Sequence, residues 1–475
     1  MIKSLMFLQI VFSPVLLLLL SSGFTHGQKG VDGHRIEVSI DGWTDTISYL
    51  GYYIGDKTYI EDTAVVKGNK AIFKGDKNLI KGMYFVYTPN SLFFEFLVNK
   101  DVFSLTTRIE NINANMRIEG SRENELFFAY QNKISDYQKR AGELNKRLKD
   151  SKGADSVATI NELRSINDEV EQFQRSQKAK YSGTYFSEIL SLILRPDNIE
   201  APSEMNESQA NAYRLKKYKG LFWDGTDFGN PGTIRNPIFG SKVSEYFEKL
   251  VYNMPDSVTK EIDGLLSQKM DTVVYRYLVV TLTNKYATSK QMGMDAVYVH
   301  MIDNYYSSGK AYWIDETTLT RMEQNSERLR PILIGKKAPL FKSEKLDGSL
   351  VANPYASTNK DYKIVFFYDS GCGHCKESIP KVMKAYNALK DSNVSAELIT
   401  MNLSEDKEEW QKFVNDFKVE GLILGDTKGF SNAGYYYYVD STPQIYIVDK
   451  NNEIIAKKLP AEYIDDFILD YIEYN

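Results

Sequence analysis

The sequence predicts a multidomain α+β protein, with an antiparallel β domain at residues 34–119, a helical domain at 121–330 and an α/β domain at 335–475. Three observations carry this. Apolar and polar residues alternate in short, glycine-punctuated runs as far as residue 119, the period of half-buried strands. From Ser121 the apolar spacing changes to three and four, the period of helices. After Arg330-Pro331, strand-like and helix-like runs alternate, the layout of an α/β domain. A chain of 475 residues also exceeds the roughly 250 to 300 residues that one core sustains.

The chain begins with one early cation, Lys3, then an apolar run from Leu5 to Leu20, then small and polar residues to Gly27. This is the layout of a secretory signal peptide over residues 1–27. Cleavage is expected after Gly27, with Gly23 as the other small residue; Pro14 and the shortness of the run argue against an uncleaved anchor. No cysteine follows the run, so the expectation is an exported periplasmic or envelope protein without a lipidated cysteine and without a membrane span. A formal charge of −5 gives no reason to expect nucleic acid as a partner.

In the β domain, Ile36-Glu37-Val38-Ser39-Ile40 and Gly82-Met83-Tyr84-Phe85-Val86-Tyr87 are typical strands, and Lys67-Gly68-Asn69-Lys70 reads as a hairpin turn. Its many aromatic residues suit a sheet core, and a carbohydrate or peptide surface is the other reading. Next, Leu126, Tyr130, Ile134, Tyr137, Ala141, Leu144 and Leu148 mark one helix. Ser151-Lys152-Gly153 breaks it, and Val157, Ile160, Leu163, Ile166, Val170 and Phe173 mark a second. The charges of this hairpin read as a solvated face or a partner-binding arm. Helices are expected over 185–194, 243–252, 258–270, 272–287 and 295–306. Between them, Asp224 and Asp227 in Phe222-Trp223-Asp224-Gly225-Thr226-Asp227 lack the closing glutamate of a calcium loop.

The last domain holds the only two cysteines, in Asp369-Ser370-Gly371-Cys372-Gly373-His374-Cys375-Lys376. Before them Lys363 to Tyr368 reads as a buried strand; after them Ile379, Val382, Met383 and Tyr386 share one helix face. Further elements are expected at 396–401, 407–417, 430–438 (helical), 444–448, 453–458 and 461–474. Zinc would need two more ligands, and outside the leader only His34, His300 and His374 exist. A structural disulfide across so short a loop constrains the unfolded chain little. A peroxide-reducing cysteine calls for threonine or serine three residues earlier, where Asp369 stands. Reversible dithiol–disulfide exchange remains: Cys372 at a helix N-terminus is the nucleophile, His374 supports its thiolate, and Cys375 resolves. No cofactor beyond this dithiol is expected.

These residues resemble the thioredoxin superfamily, especially the TlpA-like thiol–disulfide oxidoreductases. Gly335-Lys336-Lys337-Ala338-Pro339 and Glu409-Trp410 match TlpA-like members. The resemblance implies that Pro380 kinks the active-site helix and that Thr442-Pro443 forms the cis-proline loop that holds substrate backbone. Its expected partners are cysteine-containing envelope proteins and an electron donor or acceptor. Two positions depart from the pattern: Phe366 and Ser378 stand where relatives carry acids, leaving Glu377 as a weak candidate proton acceptor for Cys375. The Gly-His pair between the cysteines resembles protein disulfide isomerase and implies a poise toward the oxidising side. Across the whole chain, the order of domains resembles envelope proteins of Bacteroidota. A rival reading makes the chain an envelope binding or assembly protein in which the redox domain is secondary.

Overall fold

The computed structural model describes residues 33–90 and 92–474; the expected signal peptide lies outside them. Two compact units emerge, one ending at Leu250 and taking in Lys269–Tyr275, the other comprising Val251–Gln268 and everything from Arg276 onward.

The first unit opens with β1 (His34–Asp41), β2 (Ile47–Ile54), β3 (Lys57–Val65), β4 (Lys70–Gly75), β5 (Gly82–Tyr87), β6 (Phe93–Val98), β7 (Val102–Arg108) and β8 (Arg117–Glu119). They form two four-stranded sheets, ordered β4-β1-β7-β8 and β3-β2-β5-β6. Alternation decides the faces: Ile36, Val38 and Ile40 are fully buried, while Arg35 and Glu37 pair on the outer side. At Lys67–Lys70 the two backbones bond each other reciprocally, and Gly68 and Asn69 take φ of 57° and 63°, the left-handed pair that a tight hairpin turn requires. One pairing differs from the all-antiparallel expectation, because β1 runs antiparallel to β4 but parallel to β7. Side-chain alternation sets which face is buried and carries no information on a neighbour's direction.

Helices α1 (Arg122–Asp150) and α2 (Ala154–Lys180) form the expected hairpin, capped at Ser121, whose side chain accepts from Asn124 N–H, and broken at Gly153 with φ 59°. Tyr137, Ala141, Leu163 and Ile166 are buried together, with Phe173 against them. Val157, expected on that face, is 59% exposed; it lies in the first turn of α2, beside the hairpin's tip. Leu126, Phe127 and Phe128 of α1 enter the β core. There follow α3 (Tyr185–Ile193), α4 (Glu207–Leu221) and α5 (Pro237–Glu245). The buried Glu123 carboxylate accepts from the backbone N–H groups of Tyr185 and Phe186, capping α3 from another helix. Phe222 and Trp223 pack against Tyr246, and the amine of the fully buried Lys242 lies over both rings, so this motif is a packing cluster. The Asp227 carboxylate accepts from Gly229 N–H in its own turn.

Further on come α6 (Pro255–Leu266), α7 (Thr272–Ala287), α8 (Asp295–Met301) and α9 (Glu316–Leu329). The α/β domain of the second unit contains β9 (Ser343–Glu344), β10 (Leu350–Val351), β11 (Tyr362–Tyr368), α10 (Gly373–Asp391), β12 (Ala396–Asn402), α11 (Lys407–Phe417), β13 (Leu422–Gly425), α12 (Ala433–Tyr436), β14 (Gln444–Val448), β15 (Ile454–Lys457) and α13 (Ile464–Tyr474). Its single sheet is ordered β10-β9-β13-β12-β11-β14-β15. The central β11 is buried on both faces from Lys363 to Tyr368, as its unbroken apolar run dictates; it runs parallel to β12 and antiparallel to β14. The helix expected over 430–438 shrinks to four residues, Ala433–Tyr436, because Asn432 and Tyr438 both adopt positive φ.

Within this unit the helices grip the sheet's far edge. The amine of Lys457 on β15, 2% exposed, pairs with Asp295 of α8 and donates to the Ile332 carbonyl at 2.8 Å. Burial pulls the Lys457 pKa down while Asp295 opposes that shift. A cation withdrawn from water this far is tolerated only with such partners. No helix among the described residues is long and apolar enough to cross a membrane.

Candidate active site

Strand β11 ends by delivering the chain to a tightly tied turn. Leu403 N–H donates to Tyr368 O, and Ser370 N–H donates to the Asn402 side-chain oxygen at 3.1 Å, fastening the turn to the end of β12. Gly371 N–H donates to the Asp369 carboxylate at 2.7 Å and Cys372 N–H to the Asp369 carbonyl at 3.1 Å. Cys372 is the N-cap of α10, with φ −71° and ψ 125°. It therefore sits where the unpaired N–H groups of the first helical turn converge.

The two sulfurs have opposite surroundings, and both are free thiols. Cys375 is fully buried and Cys372 is partly exposed. Partial burial on its own would raise the Cys372 pKa. Hydrogen bonds to the sulfur from the Cys375 backbone and thiol, the Thr442 side chain and the His374 backbone outweigh it and hold the pKa below its ordinary value. Burial pushes the Cys375 thiol up to about 11. The arrangement thus provides one accessible sulfur that ionises readily and one withdrawn sulfur that holds its proton.

The proline loop faces this pair. Thr442-Pro443 is a cis peptide bond, and the Cys372 thiol donates to the Thr442 carbonyl at 3.7 Å. The structure therefore brings Cys372, Cys375 and Thr442 together across a large separation in sequence. His374 contributes to Cys372 through its backbone N–H, while its side chain is exposed. Pro380 stands inside α10, without the N–H that would bond the Lys376 carbonyl, and the helix continues to Asp391.

Residues 334–457 match the AhpC/TSA family. Over 30% of this chain and 95% of the other, the sequence is 33% identical to a domain of a possible thiol-disulfide isomerase from Cytophaga hutchinsonii, with a TM-score of 0.28. The C-terminal domain belongs to the thioredoxin superfamily. A thioredoxin-like protein from Bacteroides caccae aligns at 21% identity over 58% of this chain and 98% of its own, with a TM-score of 0.45. The thioredoxin domain of a Bacteroides vulgatus thiol-disulfide oxidoreductase aligns at 24% identity over 29% of this chain and 97% of its own, with a TM-score of 0.27. Residues 34–127 and 163–331 match two domains of unknown function, DUF4369 and DUF5106. No curated protein matches the chain.

In this thioredoxin-superfamily domain the strand position lacking an acid is filled by an aromatic ring. Phe366 is fully buried and stacks on Tyr368 with ring centroids 5.4 Å apart. The Tyr368 hydroxyl accepts from Trp410 Nε1 at 3.0 Å. Glu377 is exposed. The carboxylate beside the turn is instead Glu409 of α11: it pairs with Lys376 at 3.4 Å, and a Cβ added at Gly371 would lie 3.2 Å from its Oε2. The Glu409-Trp410 pair was visible in the sequence, but its approach to Gly371 depends on how α11 packs against α10.

Proposed function

We propose that the protein is an exported thiol–disulfide oxidoreductase that acts on protein substrates through the dithiol Cys372-Gly373-His374-Cys375. The observation that carries the reading is the asymmetry of the two sulfurs, one at a helix N-cap with a lowered pKa and one buried with a pKa of about 11.

The Cys372 thiolate attacks one sulfur of a substrate disulfide. The substrate S–S bond breaks, a Cys372–substrate bond forms, and the departing sulfur leaves as a thiolate that takes a proton. Cys375 then loses its proton and attacks Cys372 Sγ, releasing the second substrate sulfur, which is protonated in turn. The substrate gains two electrons and two protons, and the protein gains a Cys372–Cys375 disulfide. Run backwards, the same steps oxidise a substrate dithiol. Thr442 and Pro443 position the substrate backbone beside Cys372, and Pro380 shapes the helix behind it. Suitable partners are cysteine-containing envelope proteins and an electron donor or acceptor. The possible isomerase activity named for the Cytophaga relative belongs to this reading as well, and with the Gly-His pair it favours an oxidising poise.

The test is trapping in the intact, exported protein. With Cys375→Ala, Cys372 should capture envelope proteins as mixed disulfides that dithiothreitol releases. Wild-type protein that reduces no insulin, or insulin reduction that survives Cys372→Ser, sinks the proposal. Cell fractionation checks export, with the mature chain expected outside the cytosol and lacking residues 1–27.

A further inference from the structure

The Thr442 loop is closed at its base. The Gln444 side-chain amide donates to the Tyr438 carbonyl at 3.5 Å, drawing together the residues on either side of Thr442-Pro443. Behind Tyr438 the chain is folded on itself: Tyr438 N–H donates to Tyr435 O at 3.1 Å, Val439 N–H to Gly434 O at 2.8 Å and Asp440 N–H to Tyr438 O at 3.2 Å. Tyr438 holds φ at 48°, the left-handed position that these bonds close just past the end of α12, with a side chain where glycine is usual.

The side-chain contacts on this turn come from outside the α/β domain. The guanidinium of Arg328, on the last turn of α9, lies 4.2 Å from the Tyr438 ring centroid and 4.9 Å from that of Tyr435, and 3.4 Å from the Asp440 carboxylate. Its Nε is buried without a hydrogen-bond partner among the described residues, so the side chain is held by the two rings and by Asp440. Stacking of this kind suits the planar guanidinium and not an ammonium. Helix α9 has a fixed base, because Lys457 binds both Asp295 and the Ile332 carbonyl just beyond the helix. Tyr298 of α8, 8% exposed, lies near Tyr438 as well, with Arg321 and Asn325 of α9 about it.

We propose that Arg328 is a positioning residue for the dithiol: seated between Tyr435 and Tyr438, it fixes the base of the Thr442 loop and so keeps Thr442 on Cys372. The inference rests on the thiol–disulfide reading above. Through it, the helical region sets the reactivity of a sulfur that it does not touch. Loss of Arg328 frees Tyr438 to leave the left-handed region, the loop opens, and the Thr442 side chain no longer supports the thiolate.

The measurement is the pH midpoint of Cys372 alkylation in the full-length reduced protein, with the glutathione redox equilibrium and thermal melting followed in parallel. Arg328→Ala should raise the midpoint by roughly half a pH unit, a threefold loss of thiolate below it. Arg328→Lys should fall between, keeping the charge beside Asp440 and losing the stack. Tyr438→Leu should reproduce the shift without removing the arginine, and the double variant should shift no further than either single. Midpoints unchanged in Arg328→Ala and Tyr438→Leu overturn the inference; if Arg328→Ala does not fold, Tyr438→Leu alone decides. A wild-type protein inert toward insulin overturns the thiol–disulfide reading itself, whereas an active wild type with unmoved variants overturns only the role of Arg328.

Discussion

Cys372 Sγ lies 3.7 Å from the carbonyl oxygen of Thr442, a residue 70 positions further along the chain. That contact joins the first turn of α10 to the loop before β14, and it places the accessible sulfur against the backbone strip to which the proposed function assigns the substrate.

The two thiols should separate by reactivity. With the Cys372 pKa lowered and that of Cys375 near 11, iodoacetamide at neutral pH should label one thiol per reduced chain, at Cys372. Peptide mapping checks the site; equal labelling of Cys375 in the folded protein contradicts the assignment. Cys372→Ser should lower insulin reduction at least ~10²-fold, whereas Cys375→Ala should retain the first attack and accumulate mixed disulfides.

The reduced protein should lose stability at high pH relative to the oxidised one. Burial raises the Cys375 pKa from 9.0 to about 11, so the folded state favours its neutral thiol. That contribution is complete below the unfolded value and is lost as pH rises through the folded one, a window from about pH 9 to 11 worth roughly 2 to 3 kcal/mol. Denaturant titrations of both redox forms at pH 8 and 11 check it, since the oxidised form has no Cys375 thiol to ionise.

Asp295→Ala should destabilise the second unit by about 3 kcal/mol or more, because it leaves the buried Lys457 amine without its counter-charge. Replacing the pair together, as Asp295→Leu with Lys457→Met, should recover most of the loss. Chemical denaturation of the wild type and the two variants measures both effects, and a double variant no more stable than Asp295→Ala would contradict the pairing.

Gly425→Ala should be costly although glycine in a strand is usually dispensable. An added Cβ would lie 2.7 Å from the ring of the fully buried Trp410, and overpacking of this kind costs roughly 1 to 3 kcal/mol. A shift in the denaturation midpoint reports it, and Trp410 fluorescence should change with it.

The strongest elements were legible because burial alone dictates them. Strand β11 reads as an unbroken apolar run, α11 appears with its bounds as expected, and the cysteine pair identifies the turn between β11 and α10. Elements with little buried surface escaped. Helix α4 buries only Ala210 and presents no apolar stripe, and the buried residues of α9 are Ser326 and Leu329, so the stripe of α9 is thin and broken by a serine. Strand β13 is only four residues long and ends at Gly425, too short to show a period. The site divided in the same way: Cys372, Cys375, Thr442 and Pro443 stand out by type and motif, whereas Arg328 is one exposed-looking arginine among many. Nothing near it in sequence announces Tyr438, which lies 110 positions away by number and beside it only in the fold.

The Lys457 anchor ties the α/β domain to the helices that precede it. A fragment starting at Gly335 would keep the dithiol, β11 and the proline loop, yet lose Asp295, Ile332 and Arg328. Its edge strand would then display a lysine that is buried in the full chain, and Tyr435 and Tyr438 would lose the guanidinium packed on them. Under the proposed function, the helices that precede the α/β fold belong to the unit that carries the chemistry.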